Sequence, residues 1–170
     1  MGTSFANMDL AEDRGRFSKL LQELEIPYPE YGAAINVPDA IEIAKRIGYP
    51  VLIRPSYVLG GQGMRIAVKE DEFIRYINRV LATFPENEFL VDKYLEHAVE
   101  VDVDSVYDGE QLHIGGIMQH IEPAGVHSGD STAVLPPYSL SDAVIAKIED
   151  YQLRIAKAMN IQGFLNVQYA

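Results

Sequence analysis

Arg54 stands just ahead of a run that holds Gly60, Gly61 and Gly63. Backbone N–H groups of a glycine loop can approach phosphate oxygens closely, and an arginine beside them adds a bidentate cation. The pattern is neither a Walker loop nor a dinucleotide fingerprint, because no Gly-Lys-Ser follows and the glycines precede a strand pattern. A plain glycine-rich hairpin turn fits the same residues. Glu100, Asp102 and Asp104 alternate with Val99, Val101 and Val103, so the three carboxylates share one face of a strand. There they could hold a metal or accept ribose hydroxyls; a solvated strand face is the plainer reading. The stretch from Gly125 to Asp130 contains His127, Ser128 and Asp130. Members of a hydrolase triad rarely lie so close along a chain, and the Gly-x-Ser-x-Gly elbow is missing, so a polar loop that touches a ligand fits better. His113, His120 and His127 recur every seven residues, but they fall on a strand and a loop, where that spacing has no common geometry.

Composition narrows what these groups could serve. The chain has 170 residues, 48% hydrophobic and 23% charged, with no cysteine. Those values suit a globular chain and exclude a disulfide framework, a thiolate zinc site and a cysteine nucleophile. No apolar run reaches the roughly 18 residues needed to cross a bilayer, so no membrane role is expected. Nor does a signal peptide open the chain, and a cytoplasmic location is expected. Lys and Arg number 14 against 25 Asp and Glu, a net charge of −11, which argues against nucleic acid as a partner. Between Leu95 and Ala146 there are nine acidic residues and no Lys or Arg. Cations for any bound anion must therefore come from the first half of the chain, from a metal or from partners.

The elements that would position these residues follow from periodicity. Leu10, Phe17, Leu20, Leu21 and Leu24 predict one helix through the first 25 residues, capped by Asp9 and ended by Pro27 and Pro29. Ile41, Ala44 and Ile47 predict a second over 39–47, stopped by Gly48. Strands are expected at 51–53 and 64–68, with the glycines between them, then a helix over 71–81 and a strand at 89–91. Alternation from Val99 and the Asp108-Gly109 turn predict a hairpin whose second strand is 112–120. Residues 122–138 lack periodicity and read as a long functional loop. Ser139 or Ser141 caps a final helix with Val144, Ile148, Tyr151, Ile155 and Met159 on its packed side, and a strand starts after Gly163.

Taken together, Gly2-Thr3-Ser4, Ala11-Glu12-Asp13-Arg14, Arg54-Pro55-Ser56-Tyr57-Val58-Leu59-Gly60-Gly61, Glu100-Val101-Asp102-Val103-Asp104, Gly115-Gly116-Ile117-Met118, His120-Ile121-Glu122, Gly125 to Asp130 and Asn166-Val167-Gln168 stand in one order. That order resembles the large subunit of carbamoyl phosphate synthetase, a family of ATP-grasp ligases. The likeness runs along essentially the whole chain, and Ser-Tyr-Val-Leu after Arg54-Pro55 is similar to the second, carbamate-phosphorylating half. The resemblance implies an α+β fold of the ATP-grasp type, mostly antiparallel sheets with packed helices, incomplete at the C-terminus. It implies one partial domain with a leading helical segment to about 35, a nucleotide-lid lobe over about 36–105 and the start of a catalytic lobe over about 106–170.

By the same resemblance Arg14 and Arg54 contact ATP phosphates and act in catalysis, with Gly60 and Gly61 beside them. Lys93, by position only, and Leu95 line the adenine, while Glu100 takes the ribose hydroxyls in place of a solvated role. Asp102 and Asp104 keep the solvated reading. Gly125, Val126, His127 and Ser128 border the nucleotide, and Gln168 is the first metal-site residue for Mg²⁺ or Mn²⁺. The family's remaining metal ligands follow Gln168 beyond residue 170, so these 170 residues alone are expected to be inactive. The intact protein would convert carbamate and ATP to carbamoyl phosphate and ADP, the product feeding arginine and pyrimidine biosynthesis. Its partners would be the first synthetase half and a glutaminase small subunit. Another ATP-grasp ligase, a biotin-carboxylase-like domain and a non-catalytic nucleotide-binding module are the alternatives. The expectation common to these assignments is that Arg14, Arg54, the diglycine turn and Glu100 converge on one groove.

Overall fold

A computed structural model describes residues 2–55, 64–83, 88–124, 126 and 128–170. The chain forms two compact units: Pro29–Glu96 is one, and the segments up to Tyr28 and from His97 onward make the other. Two helices open the larger unit, α1 (Phe5–Glu12) and α2 (Arg14–Glu23). The single helix expected through residue 25 is therefore broken at Asp13. Asp13 has extended backbone, and its carboxylate accepts the Arg16 N–H at 2.9 Å, so it caps a new helix. Ser4, not Asp9, caps α1; Asp9 lies inside that helix and pairs with Arg16 at 2.6 Å. The apolar stripe expected here does pack: Leu21 is buried, with Leu10, Phe17, Leu20 and Leu24 against the same cluster.

The smaller unit runs through β1 (Tyr31–Ala34), α3 (Val37–Ile47), β2 (Val51–Pro55), β3 (Arg65–Ala67), α4 (Glu70–Thr83) and β4 (Phe89–Lys93). Its strands form an antiparallel sheet in the order β1-β4-β2-β3. Asn36 caps α3 by accepting the Asp39 N–H at 2.9 Å, and Gly48 ends it at φ 79°, a conformation glycine adopts without strain. Ala40, Ala44 and Ile47 from α3 meet Phe73 and Ile77 from α4 over Val51, Ile53, Phe89 and Val91 of the sheet. Strand β1 was not anticipated, because Tyr31-Gly32-Ala33-Ala34 carries no β-branched residue or clear alternation. Pairing creates it: Tyr31 to Ala34 sit opposite Asp92 to Phe89. A Cβ at Gly32 would lie 2.7 Å from Ile43 Cγ2, so glycine lets α3 close onto this strand.

The larger unit resumes with β5 (Val101–Tyr107), β6 (Leu112–His120), β7 (Ala133–Val134), α5 (Asp142–Ala158) and β8 (Gly163–Tyr169). These strands form a second antiparallel sheet, ordered β7-β6-β5-β8. Strand β5, expected in the lid lobe that was to end near 105, lies at the centre of this other sheet, and the smaller unit stops at Glu96. The hairpin at Asp108-Gly109 is present: Gly109 has φ 102°, and the Asp108 carboxylate accepts the Glu110 and Gln111 N–H groups at 2.8 and 2.7 Å. Those two N–H groups, Gln111 first, hold the Asp108 carboxyl below the ordinary carboxylate range.

Ser141 caps α5, whose buried side runs through Ile148, Gln152, Ile155 and Ala156, with Met159 beyond its end. Val144, expected on that stripe, is exposed, as is Val99, which precedes the β5 ladder. The buried Gln152 satisfies its polar atoms internally: Nε2 donates to Ser105 Oγ at 2.8 Å, and Oε1 accepts the Tyr169 hydroxyl at 2.8 Å. Burial raises the Tyr169 hydroxyl well above the usual tyrosine range. Among the described residues no helix is long and apolar enough to cross a membrane.

Candidate functional site

Alternation along β5 sorts its side chains. Val101, Val103, Ser105 and Tyr107 are buried, with Val101 and Val103 against Ile148 and Tyr107 against Ile155. Asp102 and Asp104 point to the opposite face, and Glu100, two residues before Asp102, precedes the strand on the same side. Register brings companions to that face. Asp102 lies opposite Met118 on β6 and Gln168 on β8, and Asp104 lies opposite Asn166. His120, two residues beyond Met118, gives its backbone N–H to the Glu100 carbonyl at 2.9 Å. One sheet face thus carries Glu100, Asp102, Asp104, His120, Asn166 and Gln168.

Two of the three carboxylates, Glu100 and Asp102, leave the solvated row that alternation alone suggested. The Glu100 side chain is buried. The Asp102 side chain is 14% exposed, and its Oδ2 lies 2.8 Å from His120 Nε2. Asp104 stays at the surface but accepts the Asn166 amide N–H at 2.8 Å. His120 is the residue that sequence reasoning passed over. Its side chain is 2% exposed, and its buried Nδ1 has no hydrogen-bond partner among the described residues. A neutral imidazole that donates from Nε2 to Asp102 presents a lone pair at Nδ1, an acceptor that a ligand donor could meet. The seven-residue histidine spacing could not reveal this, for His113 is exposed further along β6. The usable signal was cross-strand: an Asp two residues after Glu100, and a His at the end of the returning strand.

The smaller unit positions Arg54, Lys93 and Leu95. Arg54 is on β2, and its Nε lies 3.0 Å from Asp92 Oδ2 on β4; the Asp92 side chain is 5% exposed and the Arg54 side chain 32%. This ion pair, also unanticipated, fixes the guanidinium on the sheet. Lys93 ends β4, and its ammonium donates to the carbonyls of Gly48 at 2.9 Å and Tyr49 at 3.4 Å. A lysine there satisfies carbonyls at the α3 C-terminus and meets the negative end of the helix dipole. Its side chain therefore has a structural task, and its backbone N–H bonds to the Glu30 carbonyl at 2.7 Å. Leu95 follows β4, half-buried.

In the larger unit Arg14 is the first residue of α2, with its Nε buried. Gln168 lies on the exposed side of β8. Val126 is partly exposed, and Ser128 begins a 3-10 turn, Ser128–Asp130. Gly60, Gly61, Gly125 and His127 lie outside the described residues. The expected long loop is pinned at both ends. Gln119 Oε1 accepts the N–H groups of Tyr138 and Ser139 at 3.2 and 3.1 Å. Glu122 accepts the Thr132 N–H at 2.6 Å and its hydroxyl at 3.2 Å.

The Thr132 N–H is the main cause that keeps the Glu122 carboxyl below the ordinary carboxylate range. A carboxyl depressed by folding stabilises above its unfolded pKa, and that contribution disappears as pH falls through the lower folded value. Protection of the Thr132 amide, measured by hydrogen exchange, is therefore expected to hold at neutral pH and drop on acidification below the usual carboxylate range. In Glu122→Ala, which removes the acceptor, it should be low throughout.

A magnesium or manganese ion is bound by hard oxygen donors, often only one or two from protein, with phosphate and water completing the shell. The exposed Gln168 amide oxygen fits as one such donor. Among the described residues no group of three or more His, Asp or Glu is arranged to hold a metal by itself.

Residues 13–170 match the family described as carbamoyl-phosphate synthase L chain, ATP binding domain. The chain is 54% identical over 170 residues to the carbamoyl phosphate synthase large chain of Archaeoglobus fulgidus, covering all of this chain and 16% of that protein. It is 55% identical over its whole length to the large chain, C-terminal section, of Methanocaldococcus jannaschii, and spans 28% of it. Among solved structures, the D-alanyl-alanine synthetase A of Vibrio cholerae superposes with a TM-score of 0.78 at 16% identity, over 99% of this chain and 54% of that one. The fold is accordingly that of the ATP-grasp enzymes, an α+β arrangement in which every described strand pairing is antiparallel. With the family model matched from Asp13 to the final residue, this chain belongs to the carbamoyl-phosphate synthase L chain ATP-binding domain family.

Proposed function

We propose that this chain is part of the ATP-binding machinery of a carbamoyl phosphate synthase large chain, in the half that phosphorylates carbamate. The observation that carries this reading is the family match over residues 13–170, supported by the sheet face that gathers Glu100, Asp102, His120 and Gln168. In the reaction a carbamate oxygen attacks the γ-phosphorus of ATP, the bond from that phosphorus to the bridging oxygen breaks, and carbamoyl phosphate and ADP result. Such transfer depends on positioning and on stabilising charge rather than on covalent chemistry by the protein.

Each unit carries part of the work. In the smaller one Arg54, held by Asp92, binds phosphate oxygens together with Gly60 and Gly61, while Lys93 and Leu95 line the adenine, Lys93 through its backbone. In the larger one Glu100 accepts the ribose hydroxyls, Arg14 meets phosphate, and Gly125, Val126, His127 and Ser128 border the nucleotide. His120, oriented by Asp102, is a positioning residue on the Glu100 face. Gln168 offers its amide oxygen to Mg²⁺ or Mn²⁺, which when bound neutralises phosphate charge. Carbamate would come from the first synthetase half, and the ammonia behind it from a glutaminase subunit.

Glu100→Gln in the complete large chain tests the reading. It keeps the side-chain volume but replaces a charged acceptor, and a hydrogen bond to a charged group is worth about 1.5–3 kcal/mol. Calorimetric Kd for MgATP should rise about ten- to a hundredfold, with carbamoyl phosphate formation from carbamate falling in step at low ATP. An unchanged Kd in this variant and in Arg54→Lys would reject both assignments.

A further inference from the structure

The loop after β6 returns to its sheet along residues 132–139, and the means of attachment changes along that limb. Strand β7 gives the first hold. Ala133 and Val134 pair with His120 and Gln119, and the Thr132 carbonyl accepts the Ile121 N–H at 2.9 Å. Pro136 and Pro137 follow. Neither has an N–H to give, so the ladder cannot run on through them. Apolar burial does not replace it, since Leu135 and Tyr138 are both exposed. Leu135 rests on β6 at Gly116, where a Cβ would lie 3.4 Å from Leu135 Cδ1.

Past the prolines the Gln119 side chain takes over. It is 1% exposed. Its Oε1 accepts the first two N–H groups after the prolines, Tyr138 at 3.2 Å and Ser139 at 3.1 Å, and its Nε2 donates to Ser139 Oγ at 2.7 Å. An amide oxygen has two acceptor positions, and both are filled. Immediately beyond, Leu140 packs against the cluster of Val101, Ile117 and Ile148, and Ser141 caps α5. One side chain thus joins β6, the exit of the loop and the start of α5. The next residue on the strand, His120, turns to the other side of the sheet and pairs with Asp102. The exit of the loop and the face that carries Glu100 are therefore set by neighbouring residues of one strand.

We propose that Gln119 is a positioning residue for ATP, holding the exit of this loop so that the segment from Gly125 to Ser128 borders the nucleotide. The inference rests on the assignment of that segment to the nucleotide border. Gln119 itself touches no substrate; it acts through the chain it anchors. The bonds from Glu122 to Thr132 close the neck of the loop. A loop held at its neck alone can still tilt as a body, and a second anchor on the return limb stops that motion. Loss of the Gln119 oxygen would strand two backbone N–H groups, which the limb could satisfy only by moving toward water.

The experiment compares Gln119→Leu, Gln119→Glu and Glu100→Gln in the complete large chain, by MgATP calorimetry and amide hydrogen exchange. Leucine removes the acceptor. Glutamate keeps it, the Ser139 hydroxyl can turn to donate to it, and the nearby N-terminus of α5 suits its charge. Gln119→Leu should raise the Kd about three- to tenfold, the scale of lost hydrogen bonds, and Gln119→Glu should restore binding. In the unmutated protein, saturating MgATP should slow exchange at Tyr138 and Ser139 by about tenfold, a response that a purely structural anchor would not give. If Glu100→Gln weakens binding but Gln119→Leu does not, the nucleotide site stands and this role for Gln119 falls. If neither weakens binding, both fall together. Gln119→Glu binding as poorly as Gln119→Leu would also overturn the proposal. Should Gln119→Leu fail to fold, exchange at Tyr138 and Ser139 that ignores MgATP overturns it as well.

Discussion

Arg54→Ala is expected to damage both stability and nucleotide binding, whereas Arg54→Lys should damage mainly binding. The alanine removes a cation 3.0 Å from a carboxylate whose side chain is 95% buried. Because the Arg54 side chain is itself about a third exposed, the loss sits at the scale of a charged hydrogen bond, about 1.5–3 kcal/mol. For a unit of this size each kcal/mol corresponds to roughly 4–8 °C in Tm. Lysine restores a positive charge beside Asp92 but not the planar fork whose geometry suits two phosphate oxygens. Thermal unfolding and MgATP calorimetry on both variants separate the two roles. Equal Tm loss in both, with no change in Kd, would make Arg54 a structural residue only.

Phe73→Ala should be the most destabilising single change in the smaller unit, at about 3–5 kcal/mol. Phe73 is fully buried at the centre of the α3–α4–sheet cluster and meets the Tyr49 ring edge-on, with centroids 6.0 Å apart and an interplanar angle of 76°. Its removal leaves a cavity and ends an aromatic contact. The clusters that hold the larger unit share no residue with this one. Amide exchange should therefore collapse within residues 29–96 while β5, β8 and α5 keep their protection. Uniform loss of protection along the whole chain would show that the two units fold only together.

What could be read without coordinates was what local physics decides. The Gly48 stop of α3, the Asp108-Gly109 turn and the long stripe of α5 depend on a few neighbours along the chain, and the expected elements are there. Asp13 shows the limit of that reading. Its cap competes with a continuous apolar stripe, and periodicity alone could not reveal that one carboxylate breaks the helix in two. Strand β1 exists because β4 pairs with it, and nothing within Tyr31–Ala34 states as much. The candidate site divides in the same way. Arg54, Glu100 and Gln168 were nominated because a family resemblance named their positions. Asp92 and His120 were not, for each matters only through a partner on a neighbouring strand, a relation set by register. Lys93 shows the converse case, a position carried over by resemblance whose side chain proves to serve the end of α3.

The wholly buried amide of Gln152 links three separate stretches of chain: it sits on α5, donates to Ser105 on β5 and receives the Tyr169 hydroxyl on β8. A polar knot closed inside a packed interior cannot be loosened one strand at a time without stranding a donor or an acceptor. Breathing motions in this unit should accordingly spare the β5–β8 seam until the whole unit melts. Glu100, Asp102 and Gln168 ride on the outer side of that seam, so their spacing should stay constant for as long as this unit is folded.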